Sequence, residues 1–363
     1  MPIPATIEQP VREKYHIALE PAQNAIASMM LLIKNEEMPG VSPWITQTRA
    51  KFTEDEMFRH RLVVIGFYFA ILPEMGWASF PDYLNALENV DPPTLVDKLL
   101  DVYASCCTPH DANNDKQEVN WDVVLSSAEE YVKFLSGGYG EGLEIDIEAK
   151  AYEYVIDPPA LKDLLIQHLR WFWDEHFAEE WARTEPLLNG SVKAFQSVNF
   201  NSMSNLEIAR YITGQDLDAT IWQEMLEWND EITYIPNAHI GPYVHKVHGD
   251  KFLGIVFGAR QPEDADVRIP ELDRADIVAR MSALSDDTRL RILQMIAEGG
   301  ELRSQEIIEE VGLSQPSVSR YLKQLTATGY LQERRVNGSK AYALNRDRIE
   351  KTLKAVHKFL LGN

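Results

Sequence analysis

Apolar residues return every three or four positions through most of the first 230 residues. They change to alternation around 231–260 and resume helical spacing in the last ninety residues. REKYHIAL alternates as a strand, and Glu20-Pro21 opens a helix, PAQNAIASMMLLIK. Thr53 with Glu56 is a capping box. It starts a helix running through FRHRLVVIGFYFAIL to Pro73 which, apolar nearly all round, belongs in a core. Helical patterns follow over 80–89, 93–107 and 120–135, with the polar loop HDANNDKQ between the last two. Asp157-Pro158-Pro159 begins the longest helix, LKDLLIQHLRWFWDEHFAEEWART, and helices over 205–213 and 218–228 complete an all-α body. EITYIP, PYVHKV and FLGIVFGAR then read as strands, the last two joined in a hairpin by HGDK.

The polar segment QPEDADVRIPELDRAD reads as a linker at 261–274. It divides the chain into a mainly helical body, 1–260, that ends in a small β-hairpin, and a compact domain, 275–363. In the latter, a short helix over 275–282 precedes one capped by Asp286, whose apolar stripe is Leu290, Leu293 and Ile296. A third helix, 301–311, turns Leu302, Ile307 and Ile308 inward. Gly312-Leu313 forms a tight turn, and Ser314 is the N-cap of a fourth helix that runs to Thr328. Val318, Tyr321, Leu322 and Leu325 are its inner face, leaving Gln315, Ser317, Ser319, Arg320 and Lys323 outside. Gly329 stops it, and YLQERRV, NGSK and AYALN make a two-stranded wing. The predicted fold is mainly α, with a winged helix-turn-helix at its carboxy-terminal end.

Charge sharpens this division. The 363 residues carry a net charge of −21, which argues against a polyanionic partner. Residues 275–363 alone hold 14 Lys+Arg against 11 Asp+Glu, a net +3, and so leave −24 on the remainder. The basic end is expected to face a polyanion and the acidic bulk to stand away from it. The first twenty residues lack the apolar block of a signal peptide, and the longest uncharged apolar run, Leu62 to Leu72, is too short to span a bilayer. The two cysteines, Cys106 and Cys107, are adjacent and poor disulfide partners, so a cytoplasmic, membrane-free setting is expected.

The chemistry of the fourth helix fits double-stranded DNA. A recognition helix enters the major groove by its N-terminal part, where small serines permit close approach. There Gln315 can pair with adenine, and Arg320 with guanine or phosphate. Arg334, Arg335 and Lys340 flank the wing tip at Asn337-Gly338 and can reach the backbone or the minor groove. Elsewhere the candidates are weaker. Gly138-x-Gly140-x-Gly142 resembles a nucleotide loop but follows a helix, where a glycine run is an ordinary stop. His239, His245 and His248 do not complete a metal set. Trp173, Phe177 and Trp181 form an aromatic stripe that reads either as core or as the lining of a pocket for a small effector. No cofactor or metal is expected, and no catalytic constellation is found. The alternative is an enzymatic or partner-protein-binding body fused to a DNA-targeting winged helix.

LSDDTRLRIL and ELRSQEIIEEVGLSQPSVSRYLKQLTATGYLQERRVNGSKAYAL together resemble the DNA-binding domain of the ArsR family of bacterial repressors, over about the last ninety residues. The resemblance implies a sequence-specific transcriptional repressor that binds an inverted-repeat operator as a homodimer joined through the first and last helices of the domain. Ile349, Leu353, Val356 and Leu360 would supply the apolar stripe on the last helix. Metal-sensing members carry Cys-x-Cys where this chain has Arg303 and Gln305, and the last helix offers the single His357. Control by an effector on the body, and not by the family's metal sites, is therefore expected. The body itself resembles the uncharacterised domain that precedes this DNA-binding domain in some long bacterial regulators.

Overall fold

The computed structural model describes residues 14–34, 38, 40–107, 119–217, 219–248, 252–262, 269–336 and 338–362. The loop HDANNDKQ, the turn residues 249–251 and linker residues 263–268 lie outside them. By compactness the chain falls into two units. One comprises Glu20–Asn35 and Pro43–Thr184; the other comprises Met1–Leu19, Glu36–Ser42 and Glu185–Asn363. The strands after residue 230 thus group with the carboxy-terminal helices.

The first unit is helical, and local capping sets where its helices begin. The backbone N–H of Thr53 donates to Glu56 Oε2 at 2.8 Å, and the Glu56 N–H returns to Thr53 Oγ1 at 3.2 Å. The helix expected to run unbroken to Pro73 is instead Glu54–Arg61, a π turn over Leu62–Gly66, and Tyr68–Ile71 after a break at Phe67. Leu62, Val63, Val64 and Phe67 are all buried, a wider inward arc than one α-helical stripe supplies. The helix expected over 120–135 also divides. Asn120 caps Trp121–Val124, and the Ser127 side chain accepts from the Glu130 N–H to start a second helix, Ala128–Tyr139. The longest helix runs Pro158–Phe172, opens into a π turn at Trp173–Phe177, and continues as Ala178–Gln196.

A histidine pair lies in this unit's core. His60 Nε2 donates to the Met29 carbonyl at 2.9 Å, so the neutral ring's Nδ1 accepts from His168 Nε2 across 3.1 Å. Burial pushes His60 down to about 4 and His168 well below the usual imidazole value.

The second unit holds two layers. Strands β1 (Tyr15–Ile17), β2 (Glu231–Asn237), β3 (Val244–His248) and β4 (Phe252–Gly258) form one sheet in the order β1-β2-β4-β3. The expected hairpin is β3 paired antiparallel to β4, but β4 also pairs in parallel with β2, and β2 with β1. A strand from the start of the chain therefore completes a four-stranded mixed sheet. Helices Asn205–Thr213 and Ala219–Trp228 supply Ile208, Ile212 and Leu226 to a core shared with Ile232, Tyr234, Ile255 and Phe257. Gly241, at φ +62°, permits close passage of the chain, since a Cβ there would fall on the Gly40 carbonyl oxygen.

The remainder of this unit is the winged helix-turn-helix. It comprises helices Pro270–Leu284, Asp287–Gly299, Ser304–Val311 and Gln315–Ala327, then β6 (Leu331–Val336) and β7 (Ser339–Leu344), and last the helix Arg346–Leu361. A short strand β5 (Leu302–Arg303) pairs with β7, so the third helix begins at Ser304 and not at 301. The first helix begins at Pro270, inside the expected linker, with proline suited to an opening turn.

Candidate nucleic-acid interface

The helix Gln315–Ala327 is held from behind. Val318, Leu322 and Leu325 are buried with Ile292, Ile296, Ile307 and Tyr330, and Tyr321 packs at the edge of the same cluster. The turn before the helix is set by Gly312 at φ +73°, whose N–H closes on the Ile308 carbonyl. The expected stripe of the second helix is corrected in one respect. Leu290 is 48% exposed, and Ile292 takes the inward place beside Leu293 and Ile296. Arg289 occupies the neighbouring buried position. It donates from Nε to the Ala283 carbonyl and from Nη2 to the Ser282 carbonyl, each at 2.8 Å, and its guanidinium lies over the Tyr321 ring. The sequence analysis assigned Arg289 no role, because the carbonyls it meets belong to the end of the preceding helix.

On the outer face, Ser314, Gln315, Ser319 and Arg320 are exposed and Ser317 is half-buried. Ser314 stands at the N-cap with extended backbone, but its hydroxyl meets Ser317 Oγ at 2.9 Å and makes no side-chain cap to the backbone. Arg320 Nη2 donates to the same Ser317 Oγ at 3.4 Å. A hydroxyl pair and a guanidinium thus form one row over the first turn and a half. Lys323, expected in that row, lies with Nζ 5.8 Å from the ring centre of Tyr243.

The wing is a tight hairpin in which Val336 faces Ser339 and Arg335 faces Lys340. Gly338 has φ +81°, the left-handed geometry of a two-residue hairpin turn, while Asn337 lies outside the described residues. Two of the three expected wing cations are committed. Arg334 pairs with Glu301, and Lys340 Nζ pairs with Glu333 at 2.8 Å. Arg335 is exposed with no ion pair among the described residues.

The stripe expected at the last helix is divided. Ile349 and Val356 are half-buried, with Ile349 packed on the domain's own core, whereas Leu353 is 56% and Leu360 69% exposed. Phe359, Leu361 and, on the first helix, Val278 and Met281 are further exposed apolar side chains.

In the helical unit the three aromatics of the expected stripe form a ring-to-ring chain, Trp173 to Phe177 at 5.9 Å and Phe177 to Trp181 at 6.2 Å. Phe172 stacks on Phe177, and Phe80 meets Trp173. Phe177 and Trp181 are buried and Trp173 half-buried, so these rings fill core volume. Among the described residues, no group of three or more His, Cys, Asp or Glu side chains could hold a metal ion, and no helix is long and apolar enough to cross a membrane.

Residues 286–333 match the family profile described as "Bacterial regulatory protein, arsR family". The chain is 41% identical over 75 residues to the probable mercury resistance operon repressor of Streptomyces lividans, across 20% of this chain and 59% of that protein. It thus spans about three fifths of that relative's length. It is 34% identical over 74 residues to the uncharacterized HTH-type transcriptional regulator MJ1325 of Methanocaldococcus jannaschii, across 20% of this chain and 83% of that protein. The crystal structure of NolR from Sinorhizobium fredii aligns at 28% identity and a TM-score of 0.21, covering 26% of this chain and 95% of that one. With a matched family profile and a regulator covered over most of its own length, the chain belongs to the arsR family of bacterial regulatory proteins.

Proposed function

We propose that the chain is a sequence-specific, DNA-binding transcriptional regulator, non-enzymatic and cytoplasmic, which binds an inverted-repeat operator as a homodimer. The observation that carries this reading is the two-sidedness of the helix Gln315–Ala327. Val318, Leu322 and Leu325 are buried to 1% exposure or less, while Gln315, Ser319 and Arg320 face outward beside a wing that presents Arg335. Such a helix can approach base edges with its first turns while the wing meets phosphate. Repression is the sense favoured by the Streptomyces relative, a probable mercury resistance operon repressor. Arg303 and Gln305 stand where metal-sensing members carry thiols, so control is assigned to an effector acting outside those positions.

Selection from random duplexes at low salt tests the reading, with enrichment of an inverted repeat whose half-sites lie about one helical turn apart as the expected result. Arg320→Ala is expected to cost about 1–3 kcal/mol on the selected site and to relax preference at one base position. Arg335→Ala is expected to weaken all sequences alike and to lower the salt slope by about 1. Competition binding at several salt concentrations separates the two. Uniform loss from both variants would remove base reading from Arg320.

A further inference from the structure

The loop between β2 and β3, residues 238–243, reaches the recognition helix Gln315–Ala327 from the sheet layer of the same unit. Close passages pin its backbone. A Cβ at Gly258 would fall on the Gly241 carbonyl oxygen, as one at Gly241 would fall on that of Gly40, and the Gln215 side chain donates from Nε2 to the Pro242 carbonyl. At the far end of the loop Tyr243 is 4% exposed, and the Lys323 ammonium stands over its ring. The 5.8 Å from Nζ to the ring centre is inside the roughly 6 Å over which a ring quadrupole attracts a cation.

Lys323 lies one helical turn beyond Ser319 and Arg320, on the same outward row, and makes no ion pair among the described residues. Burial raises the Tyr243 phenol above its ordinary value, against the pull of the nearby Arg289 charge, so the ring stays neutral and meets the ammonium with its face. The neighbouring residue is the weak point of this contact. Gln324 is 1% exposed, yet neither its Nε2 nor its Oε1 has a hydrogen-bond partner among the described residues. A Cβ at Gly40 would come 3.1 Å from Ser282 Oγ, 3.3 Å from Gln324 Nε2 and 3.5 Å from Pro242 Cδ. The loop, the helix Pro270–Leu284 and the recognition helix thus close over the Gln324 amide. A buried amide without partners opposes the docked arrangement, since release restores its bonds to water.

We propose that the β2–β3 loop is an autoinhibitory restraint on the recognition helix: docked, it holds Lys323 on Tyr243 and off the DNA, and its release adds that cation to the phosphate contacts. A cation–π contact at an exposed ammonium is weak, so the restraint trims affinity and does not abolish it. The sheet layer thereby acts on the base-reading helix through one aromatic ring. The docking stands on this geometry alone; its consequence for DNA rests on the regulatory reading proposed above.

The test has two arms, both on the full chain. Without DNA, hydrogen exchange of the segment 238–244 is followed by mass spectrometry. Gln324→Met keeps the side-chain length and removes the amide, and is expected to slow that exchange roughly five-fold or more. With an operator duplex, Tyr243→Leu is expected to raise affinity about two- to five-fold and to steepen the salt slope by about 1, a gain that misfolding cannot mimic. Tyr243→Phe keeps the ring and is expected to match wild type, and adding Lys323→Ala to Tyr243→Leu is expected to cancel the gain. Equal exchange in wild type and Gln324→Met, equal affinity and slope in wild type and Tyr243→Leu, or a gain that survives Lys323→Ala overturns the proposal. A wild-type chain that binds no duplex refutes the regulatory reading and with it the withheld contact, while the exchange arm still decides the docking.

Discussion

Glu148→Gln is expected to stabilise the helical unit by about 3 kcal/mol at pH 8, and to change how its stability depends on pH. Glu148 is 4% exposed within the helix Ile145–Val155, and its Oε2 has no hydrogen-bond partner among the described residues. Burial, and then the neighbouring Glu144 charge, push its carboxyl up to about 7. A folded value above the unfolded value of 4.5 favours the folded state fully below pH 4.5 and loses that advantage as pH rises through 7. The gap, at about 1.4 kcal/mol per pH unit, gives the figure of about 3 kcal/mol. Glutamine keeps the shape and removes the ionisation. Cys107, which feels the Glu148 charge, is pushed up to about 12, chiefly by burial, and stays protonated over this range.

His60 has the opposite sign. Its folded value of about 4 lies below the ordinary 6.5, so its contribution is complete above pH 6.5 and is lost as pH falls toward 4. His168 shifts in the same direction. Between about pH 4.5 and 6.5 the Glu148 and His60 slopes oppose one another in the wild type. Removing the carboxyl takes away the opposing slope, so the rise with pH steepens by about 1.4 kcal/mol per pH unit. Urea unfolding midpoints of wild type and variant from pH 4.5 to 8.5, followed by tryptophan fluorescence, measure this. Parallel curves would show that Glu148 is solvated and titrates normally.

What the sequence made legible follows the range of the interactions. The Thr53–Glu56 capping box and the cap at Asp286 involve residues three apart, and both appear at the expected places. The inner face of the helix Gln315–Ala327 follows from periodicity within one element. The parallel pairing of Tyr15 with Ile232 joins residues more than two hundred positions apart, and no local pattern encodes it. The π turns at 62–66 and 173–177 place one extra residue in a turn, which a fixed helical period does not register.

The same distinction runs through the candidate interface. Gln315, Ser319 and Arg320 face outward because the opposite face is apolar, a fact written within thirteen residues. Lys323 meets Tyr243, and Arg334 meets Glu301, because distant segments bring partners to them.

Charge placed on the exposed face of the last helix is expected to remove most of the DNA affinity. Leu353 and Leu360, at 56% and 69% exposure, stand with Phe359 and Leu361 on a helix that packs on the helix Pro270–Leu284, where Val278 and Met281 are also exposed. Single exposed apolar side chains are ordinary, but several on two packed helices are the mark of a surface that meets a partner. In a two-fold dimer each such residue is counted twice, so Leu353→Glu with Leu360→Glu places four carboxylates in one interface without touching the buried core at Val318, Leu322 and Leu325. Uncoupling the two recognition helices removes the effective concentration that makes the second half-site contact intramolecular, a loss of roughly 10²–10⁴ in operator affinity. Sedimentation equilibrium is expected to give twice the 41.4 kDa chain mass for the wild type and the single mass for the double variant, with affinity for an isolated half-site unchanged. A wild-type protein that sediments as one chain, or a double variant that still sediments as two, would place the dimer contact elsewhere and leave the exposed leucines without this role.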